Sequence, residues 1–346
     1  MKKKDMMATA IIIVLLIILG ALIGLFINVK QTNNNSFEMG MRQGMPMEED
    51  KEKDTSADDV EEGTTVNSTT IDLSKYTSNV TITEAGTYTL TGSFNYSVIV
   101  KADGDVTLIL DGVTINSTMT AAIANGTTNS LTIKLADGTV NNLSDSGSSE
   151  YDGCIFSYGH LIIEGNGTLN VNGNQEDGEG IATKSADITI NSGIINIESN
   201  DDGINAGDDG GVITINGGTI TVKANGDGID SNGSLVINGG TIYTIGSSQG
   251  GDAGIDTDEG YVINGGSVIA LGSDMLETPE SSSKQKSVAY QLSTTITSGS
   301  LVEVKDSNGN VIASFEAKDS FRTIIISNEN VTGETLYVYA NGSLVQ

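Results

Sequence analysis

The stretch GDGIDSNGSLVINGGTI at residues 226–242 returns, slightly altered, as AGIDTDEGYVINGGSVIALGS at 253–273. Two earlier copies precede it, GIATKSADITINSGIINIE at 180–198 and GINAGDDGGVITINGGTITV at 203–222. Their leading glycines, Gly180, Gly203, Gly228 and Gly254, stand 23, 25 and 26 residues apart. The N-G-G turns at Asn216, Asn238 and Asn264 recur after 22 and 26 residues. Within each copy, apolar residues alternate with Thr, Ser and Asn, which is the period of a strand. A period in the twenties built from short strands predicts a solenoid. The Leu framework of a leucine-rich repeat is missing, and the spacing is too long for a nine-residue calcium roll. The fold class is therefore all-β, a right-handed single-stranded parallel β-helix, the hand being the usual one for parallel crossovers. Ile204, Ile229 and Ile255 are expected to stack inward in one column, and Ile215, Ile237 and Ile263 in another. Stacked coils pair their backbones about 4.8 Å apart.

Working outward, the same alternation extends back to about residue 68, so the β-helix is assigned to 68–273. Residues 274–286 read as an exposed excursion containing Pro279, followed by a small β cap with a hairpin around Asn308-Gly309. The cap is expected to cover the last coil, since an open solenoid end invites edge pairing. The C-terminal unit is thus 274–346. At the other end, Lys2, Lys3 and Lys4 precede an uncharged apolar run to Val29, long enough for a transmembrane helix. The segment 1–30 is read as a cytoplasmic Lys cluster and membrane anchor that leaves the remainder extracellular. Residues 31–67 read as an acidic disordered tether. Its Met39, Met41, Met45 and Met47 form two M-x-M pairs, a spacing that can hold copper(I), although an adaptable disordered segment is the favoured reading.

Composition narrows the function. The 346 residues carry 17 Lys and Arg against 45 Asp and Glu, a net charge of -28. Such a surface excludes nucleic acid as a partner, because phosphates require clustered cations. The single Cys and single His leave no disulfide and no thiolate cage, and only His160 for a Ser-His-Asp triad. Cys154 and His160 are read as ordinary coil residues.

The acidic residues are concentrated. Residues 201–260 contain ten: Asp201, Asp202, Asp208, Asp209, Asp227, Asp230, Asp252, Asp256, Asp258 and Glu259, against Lys223 alone, a net of 1 − 10 = −9. Asp202, Asp227 and Asp252 are expected just before the inward Ile of successive coils, with Asn205, Asp230 and Asp256 just after it. Like charges stacked at coil spacing need neutralising. A loop-borne set of hard oxygen donors points to Ca²⁺ rather than zinc or copper. The candidate ligands are Asp201, Asp202, Asn205, Asp227, Asp230, Asp252, Asp256 and Asp258. The alternative reading is a series of solvated turn residues, since Asp and Asn favour tight corners.

Together with ITEAGTYTLTG at 82–92, LILDGVTI at 108–115, LTIKLADGTVNNLSD at 131–145, SNDDGINA at 199–206 and DSNGNVIASF at 306–315, these motifs make the chain resemble a known family. It is similar to extracellular calcium-binding β-helix carbohydrate-binding domains, which look like non-catalytic relatives of family 9 pectate lyases. The resemblance spans about residues 70–345. It implies a right-handed parallel β-helix, bound Ca²⁺ and affinity for acidic polysaccharides such as polygalacturonate. On the DDGI and DGID motifs it places ligands at Asp201, Asp202, Asp227 and Asp230, with Asp252 and Asp256 following by repeat position. Ala253 departs from the motif where other copies carry Asp, which puts the third site in doubt.

The absence of Trp and the 5% aromatic content argue independently against a flat stacking platform for neutral sugars. Calcium-mediated recognition of uronates by a monomeric cell-surface domain is the favoured reading, with Lys184 and Lys223 as sugar-binding candidates. The competing reading is a calcium-dependent polysaccharide lyase acting by β-elimination, with Lys184 as base. A structural or adhesion solenoid is the third.

Overall fold

The computed structural model describes residues 63–66, 68–147, 150–207 and 210–346. The expected anchor, the tether up to residue 62 with its Met pairs, and Asp208 and Asp209 lie outside the described residues. The end of the expected tether is corrected: Thr64–Thr65 is a strand paired in parallel with Val80–Thr81, and Val66 is buried, so the solenoid begins before residue 68. Among the described residues no helix is long and apolar enough to cross a membrane, and the one helical element is the 3-10 turn Leu73–Lys75.

The alternation read from the repeats becomes a parallel β-solenoid of about seven turns. One face is a sheet of nine parallel strands. Its later members are Gly153–Ser157, Glu179–Thr183, Ile204–Ala206, Ile229–Ser231 and Asp256–Thr257. The other faces merge into a 17-stranded sheet. Val98, Ile123, Ile155, Ile181, Ile204 and Ile229 pair in register from coil to coil and are fully buried. Ile133, Ile163, Ile190, Ile215, Ile237 and Ile263 form the second inward column. Burying each of these side chains contributes about 1.5–3 kcal/mol.

The N-G-G corners do more than turn the chain. Asn216 donates from Nδ2 to Asn191 Oδ1, Asn238 to Asn216 and Asn264 to Asn238, each at 2.9 Å. The second glycine of the turn takes positive φ, as Gly218 does at 99°. A Cβ there would also press on the carbonyl of Gly193 one coil below, so no larger residue fits.

The structure adds detail to the C-terminal part. Residues 274–286 are exposed over much of their length but are also tied to the last coil. Tyr261 Oη donates to the Glu277 carbonyl at 3.0 Å, Glu280 N to Tyr261 O at 2.8 Å and Gln285 N to Ile263 O at 3.0 Å. The segment is a strap that satisfies the open edge of the last coil's strand Tyr261–Ile263, which would otherwise be left unpaired. The cap covers the last coil, as expected, in two parts. Phe321–Ser327 pairs antiparallel with Ser267–Gly272 and with Ser287–Ile296, extending the solenoid sheet in reverse. The expected hairpin, Leu301–Lys305 with Val311–Glu316, joins Tyr337–Ala340 and Ser343–Leu344 in a four-stranded sheet whose apolar cluster also takes in Ile245 and Leu271 of the solenoid.

Candidate functional site

On the nine-stranded face, odd and even residues part. Ile204 and Ile229 point in, so Asn205 and Asp230 point out. Ala182, Asn205, Asp230 and Asp256 are register partners in one outward column. A second column forms where the chain enters these strands. Gly180 N bonds Asp202 O at 2.9 Å, Gly203 N bonds Asp227 O at 2.9 Å and Gly228 N bonds Ala253 O at 3.0 Å. The second column is therefore Glu179, Asp202, Asp227 and Ala253.

This corrects the expected placement of Asp252. Asp252 stands one residue before the column, because the third repeat carries Ala253 at the matching position. Its charge still bears on Asp201 and Asp202. Glu179, which the motif search did not single out, takes the place one coil earlier. The register of its glycine, Gly180, was the signal that could have found it.

The columns are tied by hydrogen bonds that the sequence pattern does not display. Asp202 Oδ1 accepts from Asp227 N at 2.7 Å, and Asp227 Oδ1 accepts from Ala253 N at 2.5 Å. Asn205 Nδ2 lies between two carboxylates, donating to Asp202 Oδ2 at 2.8 Å and to Asp230 Oδ2 at 3.1 Å. Asp201 and Asp202 both bring Oδ1 over Gly226, where an added Cβ would overlap both oxygens. The glycine keeps that cradle open.

Burial is the largest cause of the shifts here, with neighbouring charges behind it. Burial and then the charge of Asp202 lift Asp201 to about 6. Asp227 is lifted to about 7 by burial and by Asp202, Asp256 and Asp230, against the pull of the Ala253 N–H. Asp230 rises to about 7 through burial and the charges of Asp202, Asp256 and Asp258. Burial also raises Asp202, although the Asp227 N–H and the Asn205 amide oppose it. Glu179, with Oε2 buried and lacking a hydrogen-bond partner, is pushed up to about 9 by burial, then by Asp152.

A cleft of about 280 Å³ opens beside these columns, lined among others by Asp152, Phe156, Glu179, Lys184, Asn205 and Asp230. Lys184 is exposed at its rim. Lys223 is not there. It lies on the 17-stranded sheet, opposite Glu198 in register, and pairs with Asp319 at 3.5 Å. The two lysines therefore serve different surfaces. His160 bonds Thr189 Oγ1 at 2.9 Å, and Cys154 is buried in the core. Tyr261 is buried beneath the strap.

The low aromatic content concealed a local cluster. Tyr151, Phe156 and Tyr158 pack with centroids 5.4, 6.2 and 5.2 Å apart, and Phe156 forms one wall of the cleft.

Among the described residues, no three His, Cys, Asp or Glu side chains already converge on one point as a metal cluster. The Asn205 amide stands between Asp202 and Asp230 and holds them apart. The donor chemistry nevertheless fits a hard cation: every group is an oxygen donor once the Asn205 amide turns over, and Gly226 leaves the space.

A family profile described as "Carbohydrate-binding domain-containing protein" matches residues 76–335. The chain belongs to this carbohydrate-binding family. A relative from Acetivibrio thermocellus with the same description is 33% identical over 158 residues, which is 42% of this chain and 54% of that protein. The chain thus spans about half the length of the curated relative it matches. A solved structure, described as the polysaccharide lyase-like protein from C. thermocellum in a gadolinium derivative, is 27% identical. It covers 57% of this chain and 91% of its own, with a TM-score of 0.42. Carbohydrate binding is accordingly the general function of the family to which the chain belongs.

Proposed function

We propose that the acidic cleft binds an acidic polysaccharide of the polygalacturonate type through Ca²⁺. One observation carries the reading. Asp202, Asp227 and Asp230 are half-buried or buried on neighbouring coils around Asn205, and their repulsion and desolvation have no cationic side chain inside the columns to offset them. Asp201, Asp202, Asn205, Asp227 and Asp230 would hold the cation, with Asp252, Asp256 and Asp258 at the margin. Bound there, Ca²⁺ supplies positive charge with coordination positions left for a uronate carboxylate. Lys184, at the rim of the same cleft, supplies a second cationic contact. The half-buried column lies in an open cleft, which admits a polymer crossing the coils rather than a small enclosed ligand.

The test is retention of polygalacturonate with Ca²⁺, with EDTA, and after methyl esterification. Affinity should fall in the second and third conditions. Because Ca²⁺ crosslinks the polymer by itself, the folded Asp202→Ala/Asp227→Ala variant is the control. Equal binding by that variant, or equal retention of free and esterified polymer, would refute the proposal.

The second reading, a lyase acting by β-elimination, is favoured by the position of Lys184 in this cleft. It requires unsaturated products that absorb in the ultraviolet. We favour binding without turnover, at the cell surface, on a domain anchored through the segment 1–30.

A further inference from the structure

The outward column of the nine-stranded face changes character along its length. Ile99, Ala124, Phe156 and Ala182 come first, then Asn205, Asp230 and Asp256, all in register from coil to coil. Apolar side chains that point away from a solenoid core need a second cover to leave water. Tyr151 supplies it. It is fully buried and packs on Phe156 with ring centroids 5.4 Å apart. Its Oη reaches over the preceding coil, 3.0 Å from where a Cβ on Gly126 would stand. Tyr158 stands edge-on to both rings. Under this cover Ile99, Ala124, Phe156 and Ala182 are each exposed by 2% or less, in a cluster separate from the main core. The cover stops where the column turns polar, and Asn205, Asp230 and Asp256 are half-buried.

The acidic cleft is therefore blind at one end. Phe156 bounds it toward the earlier coils. At the other end Asp256 continues the column past Asp230, and Asp258 beside it is exposed. A chain laid along the column can leave over Asp230, but it cannot run on past Phe156 without climbing over Tyr151 and Tyr158. Two carboxyl groups stand at the closed end. Asp152 and Glu179 both line the cleft on neighbouring coils, with Glu179 N donating to Asp152 O at 2.7 Å. Glu179 Oε2 is buried and has no hydrogen-bond partner, a cost that a donor arriving there would remove. A uronate carboxylate is no such donor. A hydroxyl is, since it gives a proton and accepts on the same oxygen. Residues inside a linked chain have spent hydroxyls on both glycosidic bonds, whereas a terminal residue keeps one more.

We propose that the acidic cleft receives a chain end. The terminal residue of the acidic polysaccharide abuts Phe156 and gives its extra hydroxyl to Asp152 and Glu179, while the following residues pass over Asn205 and Asp230 toward Asp256. The inference rests on the reading of this cleft as a calcium-dependent uronate site, and adds that an end, not an interior stretch, is what fits. Both ends of a 1,4-linked chain carry such a hydroxyl, at C4 on the non-reducing residue and at C1 on the reducing one.

The experiment is calorimetric titration of the full chain in Ca²⁺ with three forms of tetragalacturonate. One is intact, one is reduced with borohydride so that the reducing-end ring is open, and one is the 4,5-unsaturated form, which lacks the non-reducing C4 hydroxyl. The intact form should bind, and one altered form should bind about tenfold more weakly or worse, which names the end. Asp152→Ala should weaken the intact form by a similar factor and leave the weaker altered form unchanged, because the hydroxyl it serves is already gone. Asp152→Asn serves if the alanine variant misfolds. Polygalacturonate cut to half its mean length should offer about twice as many sites per gram. Equal binding of all three forms, or a number of sites set by mass rather than by the number of chains, overturns the chain-end proposal and leaves the calcium reading standing. An end effect that both Asp152 variants leave untouched places the end elsewhere on the molecule and overturns it too. Polymer binding without tetragalacturonate binding assigns the cleft to chain interiors, and binding of neither overturns the calcium reading together with the proposal.

Discussion

Glu179 shows how a solenoid can hide a residue from its own repeat. The repeat motif at this corner is Asp-Gly-Ile, and Glu179 carries a longer side chain one coil upstream of the motif's regular run. The register places its carboxyl in the same column as Asp202 and Asp227, with Oε2 buried and unbonded. Its pKa of about 9 lies above the ordinary value of 4.5. The folded state therefore binds a proton that the unfolded state has lost, and stability declines as pH rises from about 4.5 toward 9. At neutral pH, Glu179→Gln keeps the uncharged shape without the proton cost. Allowing for its partial exposure, the variant should be more stable by roughly 1–3 kcal/mol in EDTA at pH 7 to 8. The advantage should vanish below pH 4.5. Urea melts across that range check it, and an advantage that is the same at pH 4 and pH 8 would show that the carboxyl does not titrate in this way. The neighbouring aspartates were legible in the sequence because they repeat; their tether through Asn205 and the cradle over Gly226 were not, since both depend on which coil lies above which.

At the scale of strands and turns, the inward isoleucine columns were legible because burial imposes a strict period of two that a one-residue slip would invert. The strap at 274–286 was not. Its polar composition resembles that of a free loop, and only the unpaired edge of Tyr261–Ile263 explains why it lies where it does. The columns and the ladders also differ in weight. Ile229→Ala removes a fully buried side chain and should cost about 2–5 kcal/mol, since stacked coils above and below limit collapse of the cavity. Asn216→Ala removes two exposed amide bonds, one received and one given, and should cost about 1 kcal/mol. Chemical denaturation of both variants measures the ratio. If the asparagine proved the more damaging, the ladder rather than the apolar column would govern the stacking of coils.

Across the whole molecule, the charge of -28 sets the terms on which any cation acts. Self-repulsion on this scale opposes the compact state, so salts of every kind should stabilise the fold somewhat by screening. A specific site behaves differently. A cation that binds only the folded state stabilises it by mass action, by about 2.7 kcal/mol at a hundredfold excess over Kd, and for a domain of this size that corresponds to several degrees in Tm. Calcium in the micromolar to low millimolar range should therefore raise Tm along a saturating curve, while sodium chloride raises it gradually over tenths of molar. Screening also shortens the reach of surface charges as ionic strength rises, but a half-buried set around Asn205 is shielded from it. The calcium increment should survive in 0.3 M sodium chloride and disappear in the Asp202→Ala/Asp227→Ala variant. A calcium effect that merges with the sodium curve at equal ionic strength would mean that the acidic columns attract cations only as a diffuse cloud, leaving sugar recognition to the hydrogen-bonding groups of the solenoid face.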